Sequence, residues 1–308
     1  HYYLCGVLIN SYTNMALRSG PDKWKQCKIK IQLMIKIENL AFSYGSVPVL
    51  NNITMTLEDG KIYGLLGENG VGKTTLLSLL SGLKKVNAGS IVTDGCNPYS
   101  RRPDFLADQF FLADEFSPQN VSAEKWARQT GNFWPRYSHP QFLQIMAEFE
   151  NDPSKKMNKM SAGQLKKTYI AFSLACNVKY LFMDEPTNGL DIPSKTMFRS
   201  AVMKHTREDA VIVISTHQVR DLENIIDPII ILDRQEVLLN AGIEEITSKL
   251  FFDYGNRLNP DCYYSEQLPG GFIQVCPNPE GLESKVNIEA LFNAVHKHKE
   301  TMKALFTR

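Results

Sequence analysis

From Met34 onward, short apolar runs closed by turn residues alternate with longer stretches of helical period. Ile35 to Leu40 begins a strand, and Tyr44-Gly45 marks a turn. Asn51 to Glu58 alternates partly as a strand does and stops at Asp59-Gly60. Ile62 to Leu66 is a short apolar run leading into a glycine-rich loop, after which Thr74 to Leu83 reads as a helix. Tyr180 to Met183 and Ala210 to Ile214 have the length and content of strands buried on both faces, and Ile229 to Leu232 is strand-sized too. Such runs belong to parallel sheets covered by helices. Val121 to Glu150 is polar and aromatic, with Trp126, Phe133, Trp134, Tyr137, Phe142 and Phe149 at roughly helical spacing, and predicts a small helical insertion. After about Leu250 a β-like stretch, Gly271 to Val275, precedes one final helix with an apolar stripe of Ile288, Leu291, Phe292, Val295, Met302, Leu305 and Phe306.

The first 33 residues break this pattern: Arg18, Lys23, Lys25, Lys28 and Lys30 face one acid, Asp22, without a clear period. The sequence opens at His1, Met34 offers a fresh start, and the apolar piece from Tyr2 to Ile9 lacks the preceding basic residues of a signal peptide. Residues 1–33 are therefore expected to be a disordered or artefactual leader, 34–250 the main domain with a helical subdomain at about 116–160, and 251–308 an accessory segment. With 34 Lys+Arg against 33 Asp+Glu, the formal net charge of +1 speaks against a dedicated nucleic-acid binder. No run approaches the ~20 apolar residues of a spanning helix. Six scattered cysteines (5, 27, 96, 176, 262 and 276) without a Cys-x-x-Cys pair are expected to stay reduced.

Gly67-Glu68-Asn69-Gly70-Val71-Gly72-Lys73-Thr74 satisfies G-x-x-x-x-G-K-[ST]. Glycines let the backbone wrap a phosphate chain so that several N–H groups converge, and the following helix adds its positive end. Lys73 supplies a point charge for the β- and γ-phosphates, and the Thr74 hydroxyl can ligate Mg²⁺. Chance matches in a chain of this length number on the order of 0.01, so the motif reads as a nucleotide site. Tyr180 to Met183 runs into Asp184-Glu185. In parallel α/β sheets ligands sit beyond the carboxyl ends of strands, where the phosphate loop also lies. There Asp184 can hold Mg²⁺ and Glu185 can act as general base on water. His217 ends another apolar strand and could hydrogen-bond the γ-phosphate.

Met160-Ser161-Ala162-Gly163-Gln164 stands before a helical pattern in which Leu165, Tyr169, Phe172 and Cys176 share a face. With Tyr180 to Glu185, Asn188-Gly189-Leu190-Asp191 and Ser215-Thr216-His217, the series resembles the nucleotide-binding domain of ATP-binding cassette (ABC) proteins over roughly Met34 to Leu250. The resemblance implies a P-loop NTPase (RecA-like) α/β fold. It would have a mixed sheet core, an antiparallel β subdomain, a helical subdomain insertion and a small α+β C-terminal segment. It implies an ATPase that uses Mg²⁺. Gly67, Glu68, Asn69, Gly70, Val71, Gly72, Lys73, Thr74 and Thr75 would hold ATP, with Tyr44 stacked on adenine. Lys73, Glu185 and His217 would be catalytic. Ser161, Ala162, Gly163 and Gln164 would form a signature loop closing on the γ-phosphate held by an opposite subunit, and Asp191 would cross that interface.

Two positions depart from the family pattern. Ala162 stands where the common residue is glycine. In Phe110-Phe111-Leu112-Ala113-Asp114-Glu115, either Asp114 or Glu115 occupies the place of the Q-loop glutamine, offering oxygen to the metal but adding negative charge beside a triphosphate.

The tail from about Tyr263 resembles the accessory segment of ATPase subunits of the ABC-2 exporter type. The implied chain drives a separate transmembrane permease from the cytoplasmic face of the membrane. It would pair with a second copy or a related ATPase, without nucleic acid. The Q-loop region and Val121 to Glu150 would form the permease contact. The alternative is an ABC ATPase acting on ribosomes or nucleic acid, which a single cassette and near-neutral charge disfavour.

Overall fold

The computed structural model describes residues 34–306; the expected leader lies outside the described residues. The strands are β1 (Met34–Tyr44), β2 (Val47–Glu58), β3 (Lys61–Leu66), β4 (Ala88–Thr93), β5 (Gln109–Leu112), β6 (Tyr180–Asp184), β7 (Val211–Thr216), β8 (Ile229–Asp233), β9 (Glu236–Ala241), β10 (Leu250–Gly255), β11 (Tyr264–Leu268) and β12 (Gly271–Pro277). The helices are α1 (Lys73–Leu80), α2 (Pro103–Ala107), α3 (Ala123–Thr130), α4 (His139–Glu148), α5 (Ala162–Ala175), α6 (Ile192–His205), α7 (Ile243–Lys249), α8 (Ile288–Lys297) and α9 (Lys299–Phe306).

A six-stranded sheet runs β5-β6-β7-β3-β8-β9, parallel except for the β8–β9 pair. A second sheet, β2-β1-β4, is antiparallel, and a third runs β10-β12-β11. The architecture is the expected α/β core with an antiparallel subdomain. Successive strand side chains point to opposite faces, so each apolar run of the central sheet feeds two cores. Tyr180, Phe182, Val211 and Val213 pack with Leu76, Leu77, Leu79 and Leu80 of α1 and with the antiparallel sheet. Leu181, Met183, Ile212 and Ile214 pack with α5, α6 and the helical insertion. This two-sided burial explains why those runs read as continuously apolar.

The aromatics of the insertion close a core around Phe172 of α5. Trp126, Trp134 and Tyr137 lie with ring centroids 4.6, 5.7 and 5.3 Å from it, and Phe142 and Phe149 are buried nearby. Most of their density is therefore packing, and Phe133 is the one of the six left largely exposed.

Three local expectations change. The helix after the phosphate loop ends at Leu80 instead of Leu83, because Gly82 takes φ +72° and its N–H turns back to the Leu79 carbonyl. The final apolar stripe belongs to two helices, α8 and α9, broken at His298 (φ −125°, ψ 52°). Its buried members Ile288, Leu291, Val295, Met302 and Phe306 still share one core. The expectation of thiols alone is also corrected, since Cys262 and Cys276 form a disulfide. Antiparallel pairing of Tyr264 with Val275 brings residues 14 apart in sequence to a Cα separation of 4.0 Å, a proximity that spacing alone does not reveal. Cys96 and Cys176 are free thiols.

Candidate active site

Register fixes the site. Leu66 pairs with Thr216 and Asp184 with Ser215, so β3, β6 and β7 end level with one another. Gly67, Glu185 and His217 consequently leave the sheet at one edge, and the turn after Leu112 of β5 adds Asp114 and Glu115 beside them. A cavity of about 640 Å³ lies there, walled by Tyr44, Lys73, Thr74, Asp114, Glu115 and Glu185 among others. That volume is ordinary for a small-molecule site.

The loop before α1 is shaped by glycine. Gly72, the residue preceding α1, has φ +109°, a conformation L side chains rarely adopt. At Gly67 a Cβ would stand 2.6 Å from the Leu232 carbonyl oxygen, too close for any side chain. Lys73 folds back under this loop: its Nζ donates to the carbonyls of Gly67 (2.7 Å) and Glu68 (3.1 Å) and lies 3.3 Å from Glu185 Oε1. Thr74 Oγ1 donates to Asp184 Oδ2 at 2.6 Å, and Ser215 Oγ donates to the other Asp184 oxygen at 2.5 Å. Thr75 is buried and its hydroxyl meets Tyr44 Oη at 3.3 Å.

Glu185 sits at φ +46°, a left-handed backbone that a residue with a side chain adopts at a cost. Its N–H is held by the Ser215 carbonyl (3.2 Å) and hydroxyl (3.0 Å). The carboxylate thereby lies between Lys73 and His217, whose Nδ1 is 3.0 Å from Oε2. A cation, a carboxylate and an imidazole thus meet in one row, with Lys73 and Glu185 in the cavity wall. Also in the cavity wall, the half-exposed Tyr44 ring packs edge-on against Phe42 and lies under Lys84 Nζ, 4.9 Å from the ring centroid.

The remaining expected residues are elsewhere. Ser161, Ala162, Gly163 and Gln164 begin α5 in a capping box: Ser161 Oγ accepts from the Gln164 N–H and the Gln164 side chain accepts from the Ser161 N–H. None of the four walls the cavity. A Cβ on Gly163 would lie 3.8 Å from the Gly189 carbonyl, so this loop abuts the one leading to Asp191. Asp191 is exposed and caps α6 by accepting from the Ser194 N–H; the Ser194 hydroxyl and then this N–H hold its carboxyl below the usual range.

Sequence reasoning missed Lys166 and the anchoring role of Ser215. Lys166 is buried on α5 and donates to Asp114 Oδ1 at 2.6 Å. The one signal available was an unusual acid at Asp114 in a chain whose signature helix carries a lysine, and nothing in the spacing joins the two.

Thr74 Oγ1 and Asp184 are adjacent oxygens at the cavity wall, the all-oxygen chemistry that Mg²⁺ takes with phosphates and water completing its shell. They fit the ion.

The profile of the family described as ABC transporter matches residues 50–188. The lantibiotic transport ATP-binding protein SrtF of Streptococcus pyogenes is 32% identical over 196 residues, which cover 63% of this chain and 84% of SrtF. The chain belongs to the ABC transporter family. This ABC ATPase is also similar to the ABC transporter ATP-binding protein NatA of Bacillus subtilis (strain 168), at 28% identity over 213 residues covering 65% of this chain and 84% of NatA. A solved ATP-binding subunit of an ABC transporter superposes with a TM-score of 0.61 at 22% identity over 69% of this chain and 91% of that one, and shares the fold. Family membership makes the chain an ATP-binding subunit with ATPase activity.

Proposed function

We propose that this ABC ATPase works as a sandwich of two chains, two copies of it or one with a related subunit, enclosing two ATP molecules. Each ATP is held by the phosphate loop of one chain and closed by Ser161, Ala162, Gly163 and Gln164 of the other. The observation that carries this reading is the separation of parts: the cavity holds the phosphate loop and acidic strand end but no signature residue. The capping box employs the N–H groups of Ser161 and Gln164 and leaves those of Ala162 and Gly163 at the start of α5 for an anion. Ala162 is exposed, so its methyl group crowds an approaching phosphate only slightly.

In this reading adenine stacks on Tyr44, and the triphosphate runs along Gly67, Glu68, Asn69, Gly70, Val71 and Gly72 toward Lys73, Thr74 and Thr75. Thr74 and Asp184 would hold Mg²⁺, which would supply charge neutralisation to the β- and γ-phosphates. Glu185 accepts a proton from water as its oxygen bonds to the γ-phosphorus and the bond to ADP breaks. Lys73 offsets the charge on the transferred group, and His217 orients the water through Glu185.

The chain drives a membrane-spanning permease from the cytoplasmic face. Similarity to a lantibiotic transport protein and the accessory tail support export. Among the described residues no helix is long and apolar enough to cross a membrane, in keeping with a separate spanning partner. The exposed Phe133 on the helical insertion supports docking on that side.

Turnover of the purified chain is expected to rise more steeply than linearly with protein concentration until dimerisation saturates; strict proportionality across that range would rule out the sandwich. Purification from the native membrane should bring along a multi-span protein. Recovery of ribosomes instead would favour the nucleic-acid alternative.

A further inference from the structure

We propose that Lys166 is a positioning residue for ATP hydrolysis, tying the signature helix of a chain to the main-chain carbonyl of Glu185 in the same chain and neutralising Asp114 beside the phosphate cavity. The inference rests on the ATPase reading of that cavity.

Lys166 is only 6% exposed, two residues beyond Gln164. An ammonium has three protons to donate, and all three are used. Nζ donates to Asp114 Oδ1 (2.6 Å), the Glu185 carbonyl (2.9 Å) and the Asn188 carbonyl (3.1 Å). These acceptors lie in the turn after β5, at the acidic strand end and in the loop leading to Asp191. Asn188 Nδ2 completes the group by donating to Asp114 Oδ2 at 3.4 Å. Lys167, its neighbour, donates instead to the Phe149 carbonyl in the helical insertion, so the tie to the site belongs to Lys166.

Two consequences follow from this geometry. The left-handed backbone of Glu185 is pinned on both sides, its N–H by Ser215 and its carbonyl by Lys166 together with the Asn188 N–H (3.1 Å). Without the ammonium only the Asn188 N–H holds that carbonyl, and Asn188 loses the Lys166 bond to its own carbonyl too, so the turn can relax and shift the carboxylate relative to His217 and Lys73. A displacement of about 1 Å in a reacting group can cost about a hundredfold in rate. The second consequence concerns charge. Asp114 would place a carboxylate against a triphosphate, and its ion pair with a buried ammonium removes most of that repulsion. Because α5 begins at the signature loop, motion of that loop reaches Asp114 and Glu185 through one side chain.

The test compares the full chain with Lys166→Met, Asp114→Asn and the double variant, measuring kcat and KM for ATP together with equilibrium binding of a fluorescent ATP analogue. Lys166→Met should lower kcat by about tenfold to a hundredfold and change KM by less than about threefold. In the double variant no carboxylate is left unpaired, so its loss should be no greater than that of Lys166→Met alone. Should the Met variant fail to fold, Lys166→Gln retains a donor for the carbonyls while losing the charge, and a smaller kcat loss of about threefold to tenfold at steady KM is expected. An unchanged kcat, a loss confined to KM, or single losses that multiply in the double variant would overturn the proposal. If the unmodified chain does not hydrolyse ATP, the functional reading itself fails. If it does and Lys166→Met matches it, this inference alone fails.

Discussion

Glu185→Gln is expected to lower ATP turnover by about a hundred- to ten-thousandfold while leaving ATP bound, the range that loss of a general base commands. The substitution is nearly isosteric and can still accept a hydrogen bond from His217 through its amide oxygen. It cannot take a proton from water. It also removes the negative charge that lies 3.3 Å from Lys73, so the ammonium's charge is no longer shared with a carboxylate and affinity should hold or rise. The left-handed backbone at this position is held by main-chain and Ser215 contacts that glutamine retains. Single-turnover phosphate release, measured beside nucleotide binding, separates the two effects. A glutamine variant hydrolysing ATP within about tenfold of the unmodified chain would remove Glu185 from the general-base role.

Lys73→Ala should act at the other step. Hydrogen bonds to charged groups contribute about 1.5–3 kcal/mol, so losing the ammonium from a phosphate site should weaken ATP by roughly ten- to a hundredfold. The fold has a further stake, because Lys73 also ties the carbonyls of Gly67 and Glu68 together beneath the loop. Alanine leaves both without that donor, and the loop loses part of its preformed shape. Equilibrium titration with ATP is the direct measurement. Affinity unchanged from the unmodified chain would mean that the phosphate site has been misplaced.

Contiguous chemistry was the easiest to read. The phosphate loop, the acidic strand end and the signature motif are each written within a few neighbouring residues, and their glycines, charges and caps act locally. Long-range partnerships were not legible. Asp114 and Lys166 are 52 residues apart, and a buried lysine looks in sequence like any solvated helix lysine. The aromatic run from Trp126 to Phe149 suggested a partner surface, whereas most of it closes around Phe172. Helical period also could not show that the C-terminal stripe is cut at His298.

The order of residues alone specified that a strand, a glycine loop and a helix would make a phosphate cradle, since backbone freedom at Gly72 and the charge of Lys73 are properties of those residues wherever they fold. It equally determined that the apolar runs would be two-sided strands. Tertiary structure decided which loops share an edge. Only the parallel register of β3, β6 and β7 sets Lys73, Asp184, Glu185 and His217 within reach of one another. Only packing of α5 against the sheet brings a buried ammonium to Asp114. The physical reason is that hydrogen bonds and ion pairs act over a few ångströms, and sequence distance does not specify which distant residues will come that close.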